Sequence, residues 1–465
     1  MAALSGSLEA WIERQYRSSV ADMLRSVSPT GIEKRRPFFD QSVRARRGAI
    51  VASPVLGGYD PDPDYFFHWY RDSAVVADAL RLVQLAGRVP LDTRPHLAEF
   101  VEFSSALAML DGRTTPLPPP ERVAPDYRRF VRDRAELDQV HGPAVALDTR
   151  VNPDGSLDIL RWSRPQADGP ALRALTLLRW RRDVPLEDEV RAALERLLRA
   201  DLEQVLEFGA RPSFDLWEEE RALHYYTLRV SAAALLEGAD FLTRRGETRG
   251  SEYRAEAQRL LTLLDAYWDP ALGYYQSRRE VSGAGDARKR LDVAVLIGVV
   301  HADAPSGPHS AGDPRIHATL AALEQLFDAR YAINRDRGSE RGVALGRYDG
   351  DVYYAGGAYF FATLAAAELA FGAARHEAAR ARDPEARAWM ARGDAHLSTV
   401  RAYTPADGSL AEQFDQRTGA PASARHLAWS YAAFISAIAA RDAACAMMHR
   451  NLPSGGGRRS PPAAG

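Results

Sequence analysis

Five stretches of this chain crowd carboxylates, arginines and large aromatic rings into short spans. They are Pro63-Asp-Tyr-Phe-Phe-His-Trp-Tyr-Arg-Asp-Ser73, Trp162-Ser-Arg-Pro-Gln-Ala-Asp-Gly-Pro-Ala171, Ser213-Phe-Asp-Leu-Trp-Glu-Glu-Glu220, Gly346-Arg-Tyr-Asp-Gly-Asp-Val-Tyr-Tyr354 and Gly408-Ser-Leu-Ala-Glu-Gln-Phe-Asp415. Carbohydrate sites need this mixture. Aromatic faces stack on the C–H surface of a pyranose, while Arg and Asp make charged, paired hydrogen bonds to its hydroxyls. Breaking a glycosidic bond needs two carboxyl groups in opposite protonation states: one donates to the leaving oxygen, the other activates water or attacks the anomeric carbon. Neighbouring carboxylates beside a large ring, as in Phe214-Asp-Leu-Trp-Glu-Glu-Glu220, can raise one member's pKa.

Each stretch also has a plainer reading. Glu218 to Glu220 could be the acidic first turn of a helix, stabilised by its dipole. Glu412 near Asp415 could be loop polarity, and Arg71-Asp72 an ion pair capping a helix. The tryptophans at 69, 162, 217 and 429 could be core, Trp69 and Trp429 foremost. His68, His141, His224 and His301 lack metal spacing such as His-Glu-x-x-His and read as packing or surface. Asp62, Asp64, Asp349 and Asp351 lack a calcium-loop signature. No phosphate-binding glycine motif or nucleophile elbow occurs.

Helical periodicity dominates the elements that must position these stretches. It predicts helices near 5–26, 69–87, 93–111, 168–183, 187–207, 220–245, 250–267, 290–300, 315–329, 355–378, 383–403 and 425–447. Long connections rich in Gly, Pro, Asp and aromatics fall at about 49–68, 112–167, 208–219, 269–289, 331–354 and 404–424. Helices near 171–180, 355–370 and 427–440 are apolar on nearly every face, whereas 187–200 is amphipathic. The first kind reads as buried and the second as half-exposed. Their alternation predicts an inner ring wrapped by an outer one, an all-α (α/α)6 barrel, with six long loops gathered at one end to build the site.

Acidic and basic residues nearly cancel, 62 against 60, so nothing in the charge points to nucleic acid or an anionic membrane. Lys34 and Lys289 are the only lysines, a bias that reads as codon usage. The single cysteine, Cys445, permits neither an intramolecular disulfide nor a cysteine metal site. Met1 to Gln15 lacks the pattern of a secretory signal, giving a cytoplasmic expectation. The most apolar run, Ala355 to Ala367, reads as a buried helix, not a membrane span. No linker divides the chain, so the expectation is one catalytic domain over 1–450 and a low-complexity, disordered tail over 451–465.

The five stretches also resemble, in order, the motifs of the glucoamylases of glycoside hydrolase family 15, over most of the chain from about residue 45 to 440. "YFFHWYRDSAVVADAL" looks like the first motif and "RWSRPQADGPALRA" the second. "SFDLWEEE", "ALGRYDGDVYYAGGAYFFATLAAAE" and "SLAEQFDQRTGAPASARHLAWSYAAF" follow. The family fold is the (α/α)6 barrel. Residue by residue, the resemblance implies Glu218 as general acid and Glu412 as general base. It places Tyr65 near the reactive sugar and water, and Arg71 and Asp72 on the hydroxyls of the terminal glucose. Trp69, Trp162, Asp215, Trp217, Glu219 and Arg347 match further substrate-binding positions.

The implied reaction releases β-glucose from the non-reducing ends of α-1,4-glucans or malto-oligosaccharides by single displacement, without metal or organic cofactor. It requires carboxyl groups about 6.5–9.5 Å apart. Ala167, Asp349-Gly350, Gly357-Ala-Tyr359 and His426 depart from the family pattern and bear on linkage and chain-length preference. The alternatives are the same chemistry on α-1,6-linked isomalto-oligosaccharides, dextran or trehalose, and a non-catalytic carbohydrate-binding protein. No starch-binding module follows residue 450 and no large β-domain precedes residue 40, so raw starch granules are not an expected substrate. A monomer is expected.

Overall fold

A computed structural model describes residues 7–58, 61–279 and 287–450; the tail expected to be disordered lies outside the described residues. Within them run twelve long helices: α1 (Leu8–Leu24), α2 (Tyr70–Ala86), α3 (Arg94–Leu107), α4 (Asp168–Asp183), α5 (Asp188–Phe208), α6 (Tyr225–Thr243), α7 (Arg249–Asp265), α8 (Ala294–Ala302), α9 (Pro314–Arg330), α10 (Phe360–Ala379), α11 (Asp383–Tyr403) and α12 (Ala428–Arg450). The even-numbered helices form a closed ring, in which α2 packs on α4, α4 on α6, α6 on α8, α8 on α10, α10 on α12 and α12 back on α2. The odd-numbered helices pack outside, α11 against α10 and α7 against α6. This is the (α/α)6 barrel.

The division follows from composition. In α4 every residue from Asp168 to Trp180 is buried, and in α10 burial is continuous from Phe360 to Ala367. By contrast α5 buries Leu194, Leu197, Leu198, Leu202 and Val205 along one stripe and opens its charged face to water. Each such leucine contributes about 1.5–3 kcal/mol on burial. The membrane-length apolar helix α12 packs against α1, α2 and α10.

Helix α2 stops at Gly87, which adopts a left-handed φ of 59° and returns its N–H to Val83. Where α4 begins, a Cβ on Gly169 would lie 2.6 Å from Tyr70 Cβ. Only glycine lets the first turns of α2 and α4 approach so closely.

Strands are short and lie in the connections. Ser213–Phe214, Arg221–His224 and Arg278–Arg279 form one antiparallel ribbon. Ala358–Tyr359, Gln413–Phe414 and Pro421–Ala422 form another. The helix expected from residue 220 therefore begins only at Tyr225: pairing with 213–214 and 278–279 draws residues 221–224 into a strand. The helix expected from 355 likewise begins at Phe360.

Candidate active site

A cavity of about 620 Å³ opens at the end of the ring where the inner helices begin. The first residues of α2, α10 and α12 line it, together with the connections carrying the five stretches. Tyr65, Trp69, Arg71, Asp72, Trp162, Trp217, Glu218, Glu219, Arg347 and Glu412 all face this one space. Asp215 does not line it.

Glu218 stands in the turn between strands 213–214 and 221–224. Asp215 folds that turn, its Oδ1 accepting the Glu219 and Glu220 N–H groups at 2.7 and 3.1 Å. Burial pushes Asp215 up to about 6, against those two backbone bonds. Glu218 has φ +66°, a left-handed conformation costing a non-glycine residue about 1–2 kcal/mol. The conformation aims the side chain into the cavity. There its carboxylate accepts from Trp69 Nε1 at 2.7 Å, from Arg71 Nη2 at 3.2 Å and from Trp162 Nε1. The Ser163 hydroxyl holds the Glu218 backbone carbonyl. The acidic-helical-turn reading of Glu218 to Glu220 is thus overturned, since no helix starts before Tyr225.

Arg71 is buried among Asp72 at 3.3 Å, Asp168 at 3.4 Å and Glu218 at 3.2 Å, with its guanidinium 5.5 Å from the Trp429 ring centre. Burial pushes Asp72 up to about 6 despite Arg71. Arg71 Nε, Asp72 Oδ2 and Asp168 Oδ1 are buried without a hydrogen-bond partner. Leaving such groups unmatched costs about 1–3 kcal/mol each, so this corner has hydrogen-bonding capacity to spare. The ion-pair reading of Arg71-Asp72 and the cavity reading both hold, because the first turn of α2 forms the cavity wall. Trp69 and Trp429 are likewise buried and on the wall.

Glu412 lies just before strand 413–414, buried on the other ribbon. Its carboxyl accepts from Ser423 Oγ and from Tyr65 OH at 3.4 Å. Tyr65 OH is 2.8 Å from Tyr353 OH. Burial raises Glu412 to about 7, with Ser423 and Arg347 opposing.

Glu219 accepts from Arg347 at 2.9 Å, from Tyr348 at 2.5 Å and from Lys289; burial pushes its pKa up, but these partners outweigh it and leave a net lowering. Trp217 donates to Asp292 Oδ2 at 2.8 Å, and its ring stacks on Phe361. Burial lifts Asp292 to about 8. Trp162 is 43% exposed, on the rim.

Sequence reasoning missed Ser163, Tyr353, Ser423, Asp292 and Phe361, and assigned Trp429 chiefly to the core. Their only local signal is proximity to the motifs. Of the four departures from the family pattern, only Tyr359 lines the cavity, and its hydroxyl joins Asp351 at 3.2 Å and Gln413 at 2.7 Å. Asp349 pairs with Arg330, and His426 with Tyr431.

Arginines neutralise each aspartate weighed for calcium: Asp62 by Arg425, Asp64 by Arg36, Asp349 by Arg330 and Asp351 by Arg347. Among the described residues no group of three potential metal ligands forms.

Residues 152–439 match the model of the glycosyl hydrolases family 15. The chain is 28% identical to glucoamylase 1 of Rhizopus oryzae over 493 residues, covering 95% of this chain and 72% of that protein. It is 30% identical to glucoamylase-1 of Arthroderma benhamiae over 441 residues, covering 85% and 65%. The glucoamylase structure from Hormoconis resinae superposes with a TM-score of 0.76 at 25% identity, covering 94% of this chain and 74% of that one. The chain belongs to glycosyl hydrolase family 15 and is a glycoside hydrolase.

Proposed function

We propose that the chain is an exo-acting, inverting glucan 1,4-α-glucosidase that removes β-glucose from the non-reducing ends of α-1,4-glucans or malto-oligosaccharides. The observation that carries this is the pair Glu218 and Glu412, held on opposite ribbons of one cavity by separate donors. Glu218 protonates the leaving oxygen. Glu412 takes a proton from water, which Tyr65 helps to place. The buried Arg71, Asp72 and Asp168 grip the hydroxyls of the terminal glucosyl unit and close the inner end, so that only a chain end fits. Trp217, Glu219 and Arg347 flank the sugars, and Asp215 shapes the Glu218 turn. Residues 1–450 form a single catalytic domain.

Proton NMR of maltotriose hydrolysis tests this reading. The anomeric signal of glucose released at early times is expected to be β. Initial α-glucose means retention and removes Glu412 from the role of water-activating base. Hydrolysis confined to α-1,6 substrates or trehalose would keep the chemistry and move the specificity.

A further inference from the structure

Asp292 is a buried acid that the proposed reaction leaves unused. It stands at the entry to α8, 4% exposed, and forms no ion pair among the described residues. Both of its carboxyl oxygens accept hydrogen bonds. Oδ1 takes the Ala294 N–H at 2.7 Å, and Oδ2 takes Trp217 Nε1 at 2.8 Å. The first bond is local, of a kind that a serine also makes. The second needs a longer side chain with a second acceptor. Burying a carboxyl without a countercharge lowers stability, so closing the first turn of α8 does not by itself account for an aspartate here.

The stretch that carries Asp292 is tied down on both sides. Val293 donates its N–H to the Arg347 carbonyl at 2.9 Å, and the Arg290 carbonyl accepts from the Ser277 N–H at 2.8 Å. Asp292 therefore meets the indole from a fixed position.

Nε1–H is the only hydrogen-bonding group on the Trp217 side chain. The other contacts of the ring are made by its faces and rim. It stacks on Phe361 with centres 6.1 Å apart, lies 6.2 Å from the Tyr359 ring, and has the Arg347 guanidinium 5.3 Å from its centre. Such contacts tolerate a range of tilts, whereas a hydrogen bond at the ring edge is directional. The gap bordered by Asp215, Trp217 and Asp292 measures about 10 Å³, room for one water at most. Glu218, the next residue, is held separately by Trp69, Arg71 and Trp162.

We propose that Asp292 is a positioning residue for substrate binding: it sets the plane of the Trp217 indole against the sugar and acts on the reaction only through that ring. The inference rests on the reading of Trp217 as a wall of the sugar-binding cavity. Because Glu218 keeps its own donors, loss of the Asp292 bond weakens the binding of substrate and transition state alike, which raises KM and largely spares kcat.

Steady-state kinetics test this on whichever of maltotriose, isomaltotriose and trehalose the native chain cleaves fastest. A different preferred linkage would revise the proposed substrate and leave the test of Asp292 intact. Asp292→Ser keeps an oxygen for the Ala294 N–H and is too short to reach the indole. Its KM is expected to rise about tenfold, the worth of one hydrogen bond to a charged group, with a much smaller change in kcat. Trp217→Phe removes the same bond from the other side. The double variant Asp292→Ser/Trp217→Phe is expected to be no worse than Trp217→Phe alone, because the two residues act through one bond. Asp292→Asn keeps the size of the side chain with one accepting oxygen in place of two, and should also raise KM; it decides the matter if Asp292→Ser does not fold. The proposal falls if the folded variants keep the native KM, if kcat falls more than KM rises, or if the losses of Asp292→Ser and Trp217→Phe add in full.

Discussion

The two walls of the catalytic cavity are both three-stranded ribbons, yet they hold their glutamates in opposite ways. On the 213–224 wall, Glu218 occupies a left-handed turn position and reaches out to N–H donors: two indoles and a guanidinium. On the 410–422 wall, Glu412 is sunk beside a strand and meets only hydroxyls, those of Ser423 and Tyr65. Burial dominates there and lifts the carboxyl to about 7. A raised carboxyl is a stronger base once ionised. The difference teaches how one cavity can host two carboxyls with unlike work: backbone geometry and fixed donors orient one, and desolvation tunes the other.

The largest expected effect comes from erasing that contrast. Glu412→Gln keeps the size of the side chain but has no basic oxygen, so kcat should fall about 10²–10⁴-fold. Steady-state kinetics on maltotriose checks this, and retention of most activity would leave the second wall without its role. Next in size is Trp162→Phe, which removes one indole donor from Glu218 and keeps a ring on the rim. We expect kcat to drop about tenfold, the worth of one hydrogen bond to a charged group, with the fold intact by circular dichroism.

A smaller effect should come from Ser423→Ala. The Ser423 hydroxyl lowers the Glu412 pKa, so its loss should move the acid limb of the kcat/KM profile to higher pH. Movement toward lower pH would contradict the assignment of that limb to Glu412.

Stability carries the same signature. Glu412, Asp292 and Glu368 titrate at about 7, 8 and 8 in the fold, above their ordinary carboxylate values. The folded chain therefore holds protons that the unfolded chain has lost, and stability falls as pH rises through their folded values. Below about 6.5 the buried histidines oppose this. His68 and His301 are held near 3 and His224 and His309 near 4 by burial, so the unfolded chain binds more protons there. Above about pH 6.5 the histidines no longer contribute, so Tm should decline from pH 6.5 toward pH 8, and Glu412→Gln should flatten part of that decline. A Tm that climbs from pH 6.5 to 8 would contradict these shifts.

Much of the scaffold was legible because its signal is local. All-apolar α10 and striped α5 announce inner and outer helices by period alone, and α4 runs over the predicted span, 168–183. The partners that tune the carboxyls were not legible. Tyr65 reaches Glu412 across 347 positions of sequence, and Asp292 reaches Trp217 across 75. No local pattern encodes such contacts. Residues 221–224 read as helix because Arg-Ala-Leu-His suits one; pairing with residues 278–279 overrides that preference. The positive φ at Glu218 is equally silent in sequence, since glycine, the usual marker of that conformation, is absent.

The division of labour between the two walls is tested most directly by leaving-group dependence. Glu218→Gln and Glu412→Gln should be assayed on maltose and on α-glucosyl fluoride, whose departing fluoride needs no proton from a general acid. The account predicts that Glu218→Gln loses about 10²–10⁴-fold on maltose and stays within about tenfold of the native enzyme on the fluoride, while Glu412→Gln fails on both. Equal losses by Glu218→Gln on the two substrates would contradict its role as the acid.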